Sequence, residues 1–142
     1  MPNVHPMLVH LPIAILLVAY IFDQLSTILK KEELERVGWW TQLAGAVGLA
    51  ATVVSGLLAE ASIVIPEAAH EYLEIHEQLA FVAAGTFVTL FLWRISCKTK
   101  LPSRYRVVYL GLFAGGVIVI WIGAWFGGEM VYRYGVGVSL TP

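Results

Sequence analysis

Charge is scarce in this chain. Of its 142 residues, 13% are Asp, Glu, Lys or Arg, against about a quarter in a soluble domain. The net charge is −1, so no basic surface points to nucleic acid. Cysteine occurs once, at Cys97, which excludes an internal disulfide. The opening MPNVHPMLVH lacks the basic stretch and small-residue cleavage site of a secretory signal, so the first apolar block is expected to be retained. The two histidines of HEYLEIH stand too far apart for the HExxH arrangement of zinc proteases.

What the chain has in excess is apolar length. Hydrophobic residues make up 58% and the mean hydropathy is +0.76. They come in blocks, Leu8–Phe22, Leu43–Leu58, Leu79–Trp93 and Val107–Phe126. With its flanks, each approaches the roughly 20 residues a helix needs to cross the hydrocarbon core. Backbone groups in lipid must bond within their own segment, so the blocks are expected to be helices near 7–28, 38–60, 76–96 and 106–127. Short connections make this one domain, 1–142. The expected fold is all-α, an integral membrane four-helix bundle running up-down-up-down.

Orientation follows from the cations. Lys30, Lys31 and Arg36 mark the first loop, and Arg94, Lys98, Lys100, Arg104 and Arg106 the third, leaving only Arg133 on the other side. Short basic loops stay in the cytoplasm, which puts both termini outside. The second loop, with Glu60, Glu67, Glu71, Glu74 and Glu77 and no cation, is then outside too. A bacterial inner (plasma) membrane fits this pattern. Cys97 falls at the cytoplasmic end of the third helix, where a reduced thiol is expected.

That topology gathers all four histidines, His5, His10, His70 and His76, on the outer face. Histidine in or beside a membrane span is costly without a partner or a task, and imidazole is a common haem ligand. His10 and His76 open the first and third helices, each with small and apolar residues below it, and are the first choice of axial ligands for a haem b iron. His5 and His70 lie farther out, to ligate a second haem, bond propionates or carry protons. Arg133 is placed to pair with propionates, with a carboxylate such as Glu60, or with lipid phosphate, and Tyr132 and Tyr134 to cap the site. The competing site is a divalent metal ion on His70, Glu74 and Glu77, spaced i, i+4, i+7; the plain reading of that run is a solvated face.

Two further features have plain readings beside sharper ones. Thr41, Gly45, Gly48, Thr52, Ser55 and Ala59 share one face of the second helix, and the fourth carries Gly111, Gly115, Gly116, Gly123, Gly127 and Gly128. Small residues let membrane helices approach; they also make a smooth wall for a flat macrocycle. Asp23, in the cytoplasmic part of the first helix, is a candidate for proton movement, but snorkelling toward the nearby surface is preferred.

The opening HPMLVHLPI and the closing GGEMVYRYGVGV together resemble the domain-of-unknown-function 2231 family of small four-helix membrane proteins. His5, Pro6, Val9, His10, Pro12 and Ile13 match that family's usual HPxxVHFPI, and His76 its histidine opening the third helix. Tyr134 stands where the family's closing motif often has histidine, which shifts weight to His70. Members often accompany respiratory or cytochrome-like components. The resemblance thus agrees with a small cytochrome b-like subunit carrying one or two haems, passing electrons between membrane quinol and an exterior redox partner, within a larger complex. A metal-handling membrane protein and a cofactor-free structural subunit are the alternatives.

Overall fold

The structure, a computed structural model, describes residues 4–138. Helices α1 (His5–Leu8) and α2 (His10–Leu29) form the first span and α3 (Glu32–Glu60) the second. A single 3-10 turn at Glu67–Ala69 leads into α4 (His70–Ser96), and α5 (Arg106–Tyr132) is the last. Four of these segments are long and apolar enough to cross a membrane, so the all-α membrane architecture read from hydropathy is the one formed. The helices run further than the apolar blocks. Hydropathy marks the part suited to lipid, whereas the helix continues through polar residues beyond it. Glu32, Glu33 and Glu35 occupy the first turn of α3, where the partial positive charge of a helix N-terminus favours acids.

Packing partners fix the arrangement. Gly38 meets Asp23, Gly45 meets Leu16 and Gly48 meets Pro12, so α2 and α3 lie antiparallel. Phe87 against Phe113 and Trp93 against Tyr109 set the same relation for α4 and α5. The molecule is two hairpins joined face to face over Leu16, Ala19, Phe87, Leu90 and Phe113, all buried. Outward, large apolar side chains such as Val47, Phe81, Val88, Leu92, Ile118 and Trp121 are exposed, which lipid tolerates and water would not.

The small residues of α3 have the packing role. A Cβ on Gly45 would lie 2.6 Å from Leu16 side-chain atoms. On α5 the outcome divides: Gly116 lies against Phe87, whereas Gly111, Gly115 and Gly128 face open space. Helix α2 shows why hydroxyls share the α3 stripe. Pro12 has no N–H and so leaves the Leu8 carbonyl without its helical donor; the Thr52 hydroxyl donates to that oxygen at 3.3 Å. Thr52→Val is expected to cost about 1 kcal/mol, read as a lowered thermal unfolding midpoint in detergent.

At the basic end the structure corrects one expectation. Asp23 does not snorkel; it is fully buried and accepts from Arg94 Nη1 at 2.6 Å. The reason is reach. Snorkelling needs a long stem, and aspartate more than a turn from the helix end has none. Arg94, counted with the third-loop cations by its sequence position, is itself fully buried. Its Nη1 also donates to Gln42 Oε1 at 3.1 Å, its Nη2 to the Glu35 carbonyl at 2.8 Å and its Nε to the Thr99 carbonyl at 3.1 Å. Tyr109 donates to the same Gln42 oxygen at 2.9 Å. Asp23, Gln42, Arg94 and Tyr109 come one from each long helix, so this cluster joins all four.

The third loop is folded onto that cluster. Lys98 and Thr99 take left-handed φ values of 56° and 64°, costly for residues with a Cβ. In return the Thr99 N–H reaches the Arg94 carbonyl at 3.0 Å, a helix-ending bond of the Schellman type, and its own carbonyl meets the guanidinium. The Leu101 N–H donates to the Glu35 carboxylate and Leu101 is buried. Gly38 makes room for the acid: a Cβ there would overlap Asp23 Oδ1. Gly38→Ala is therefore expected to destabilise by about 1–3 kcal/mol, although alanine is the better helix former, and the check is the same detergent melt.

Candidate functional site

At the opposite end, which carries the described residues nearest both termini, the two hairpins part. A cavity of about 430 Å³ lies between them, lined by all four spans. Its walls are mostly apolar, with Leu49, Val53, Ala80, Ala83 and Ile120 among them, and its polar lining includes His5, His10, Thr52, Glu60, His76 and Glu77.

His5 and His76 face each other inside it, one from each hairpin. Their ring centres are 6.4 Å apart and their planes cross at 87°. Each ring is held by its Nδ1. His76 Nδ1 lies 2.8 Å from the Gly123 carbonyl oxygen; a carbonyl only accepts, so Nδ1 carries the proton and the lone pair falls on Nε2. His5 Nδ1 lies 2.9 Å from Ser55 Oγ. The single Ser55 hydroxyl proton is directed at the Thr52 carbonyl, 2.9 Å away, so the serine accepts and His5 Nδ1 donates. The Thr52 backbone bonds the same ring. Orientation of a histidine by a carbonyl or hydroxyl on one nitrogen is what metal-ligating histidines show.

Glycine admits both rings. A Cβ on Gly56 would lie 3.0 Å from His5 Cε1, and one on Gly127 3.1 Å from His76 Cε1. One glycine on each hairpin thus leaves room for an imidazole; Gly127 belongs to the glycine set read on the fourth helix, and Gly56 lies beside the stripe read on the second.

The other expected site residues are placed differently. His10 is exposed at the rim, and its Nδ1 donates to the Pro6 carbonyl at 2.7 Å. His70 is exposed outside the cavity, its Nδ1 3.2 Å from the Glu67 carbonyl. Arg133 meets its own helix, with Nη1 3.8 Å from Glu129 Oε2 and 3.3 Å from the Tyr72 hydroxyl; neither Glu60 nor the cavity wall is its partner here. Tyr132 is at the rim, and Tyr134 packs against Tyr72 at 5.1 Å. Of the proposed metal trio, His70 bonds the Glu67 carbonyl, Glu74 accepts from Gln78 at 3.3 Å, and Glu77 lines the cavity with Glu60. Among the described residues no three His, Cys, Asp or Glu side chains gather to hold a metal ion.

Residues 1–140 match the family described as "Predicted membrane protein (DUF2231)". The chain belongs to that family. No curated protein and no solved structure matches it. In this DUF2231 protein the sequence signals for Ser55, Gln42, Tyr109 and Arg94 were present but ambiguous. Ser55 is one of several small residues on its helix face. Arg94 directly follows the apolar block ending at Trp93, yet lies 18 residues beyond His76, five helical turns at 3.6 residues each, and so shares its inward face.

Proposed function

We propose that this protein is a small membrane b-type cytochrome, an electron-transfer subunit whose haem is held by His5 and His76. The observation that carries the reading is the facing pair of imidazoles. A metal ion bonded at about 2 Å to one nitrogen of each ring, itself about 1 Å from the ring centre, would separate the centres by about 6 Å, close to the 6.4 Å found.

The surroundings fit the group. The cavity is mostly apolar and is lined by small residues from three helices, Gly56 and Ala59, Ala80 and Ala83, and Gly123 and Gly127 among them, which suits a flat macrocycle. The Gly123 carbonyl holds the Nδ1 proton of His76, which leaves the tautomer that ligates through Nε2, and His5 Nδ1 is held by Ser55. A haem held by His5 and His76 would supply electron transfer rather than oxygen activation. His10, at the rim, is the nearest candidate for a propionate or for proton exchange. His70 and Arg133 are better suited to contacts with a partner protein or lipid headgroups.

The basic loops favour a cytoplasmic cluster end, and so a haem end on the periplasmic side of a bacterial inner membrane. Electrons would then pass between membrane quinol and an exterior redox protein, in a larger complex, since the chain offers little exterior surface of its own.

Dithionite-reduced minus oxidised visible spectra of the purified protein, with haem extraction beside them, test the reading. Sharp α and Soret bands from extractable haem are expected. A colourless protein from haem-replete cells would overturn it and turn attention to divalent metal.

A further inference from the structure

The cluster at the basic end is incompletely bonded, and the remainder has a definite shape. Arg94 uses Nη1, Nη2 and Nε, and Gln42 Oε1 accepts from both Arg94 and Tyr109. Two of the cluster's own buried side-chain atoms are left over, Asp23 Oδ1 and Gln42 Nε2; the third such atom among the described residues is Arg106 Nε, at the start of α5. Both residues are fully buried. One leftover group is a carboxylate oxygen that only accepts; the other is an amide nitrogen that only donates. Their companion atoms, Asp23 Oδ2 and Gln42 Oε1, are fastened to the same nitrogen, Arg94 Nη1. Unmatched polar groups are rare in a protein interior and costly in a membrane, where no solvent relieves them.

We propose that this site binds one internal water molecule, which accepts from Gln42 Nε2 and donates to Asp23 Oδ1. Water alone combines the two roles at the size an enclosed polar gap admits. A cation is disfavoured because the guanidinium already neutralises Asp23. Gly38, having no side chain, lets Asp23 Oδ1 lie against its backbone. Hydration ends there. Leu16, Ala19, Phe87, Leu90 and Phe113 form a dry layer between this cluster and the cavity, so the water site belongs to the basic end and does not extend toward the histidines. The inference is independent of the haem reading.

Hydroxyl-radical labelling of the full chain in lipid nanodiscs, read by mass spectrometry, tests it. Radicals formed from a bound water attack the side chains around it. Tyr109, fully buried with its hydroxyl on Gln42, should label several-fold faster than Phe113, equally buried and in ring contact with it at 6.3 Å. Gln42→Leu should bring Tyr109 down to the Phe113 rate. Equal labelling of the two rings in the unsubstituted protein, whether high or low, would overturn the proposal, and so would a Tyr109 rate unmoved in a folded Gln42→Leu variant. If that variant does not fold, a density map that resolves waters decides. A peak within hydrogen-bond distance of both Asp23 Oδ1 and Gln42 Nε2 supports the site; direct packing of those atoms with no peak refutes it.

Discussion

Arg94→Leu is expected to be the most damaging single substitution in the chain, lowering stability by about 3–5 kcal/mol. The loss is not simply that of one attraction. Removing the guanidinium leaves Asp23 charged or forced to take a proton with no partner, in a site with no measurable exposure. It also strips donors from the Glu35 and Thr99 carbonyls and from one bond to Gln42. Lysine should not rescue it. An ammonium is a compact charge without the planar fork that here reaches four acceptors on three segments. Asp23→Asn should be milder than Arg94→Leu, because a neutral amide keeps an oxygen toward Arg94 and leaves only the cation unbalanced. The ranking is read from thermal unfolding in detergent and from the yield of monodisperse protein. If Arg94→Leu melted within a degree or two of the parent, the cluster would not be what joins the hairpins.

The cluster also shows where sequence reasoning stops. Helix number, the membrane-spanning character and the gathering of histidines at one end were legible because each depends on where a residue lies along the chain. Apolar blocks report depth, and loop cations report the end. What faces what is a question of rotation, and a helix turns about 100° per residue. Asp23 and Arg94 were both visible as charges near the basic end. Only their depth below it and their mutual approach turn a snorkelling candidate and a loop cation into one buried pair. The same limit applies to the histidines. His5 and His10 are five residues apart, more than a full turn and not on one line, so choosing which enters the bundle required the packing of α1 against Ser55 and Gly56. His10 heads its helix, which made it the natural first choice; in the folded chain its imidazole is occupied with Pro6 at the rim.

His76→Ala and His5→Ala are each expected to remove the low-spin haem spectrum while the protein still inserts, whereas His10→Ala and His70→Ala should retain most of the haem. The asymmetry follows from geometry. Only His5 and His76 project from opposite hairpins into the cavity with their rings oriented from behind. Ser55→Ala gives a graded intermediate. It deletes the hydroxyl that orients His5 without touching the imidazole, and loss of such a supporting bond typically weakens metal binding by about 10–100-fold. Haem content per chain, by extraction and by the Soret band, checks the series. Full haem in His5→Ala together with loss in His10→Ala would return the ligand role to the helix mouth and require α1 to reorient on binding. Loss in all four variants would mean that the histidine end responds as a folding unit, a result the detergent melts of the same variants would expose. The pair of hairpins, bolted together at Arg94 and parted around the histidines, predicts the opposite: substitutions at the cavity change what is bound and leave the melting point close to that of the unsubstituted apoprotein.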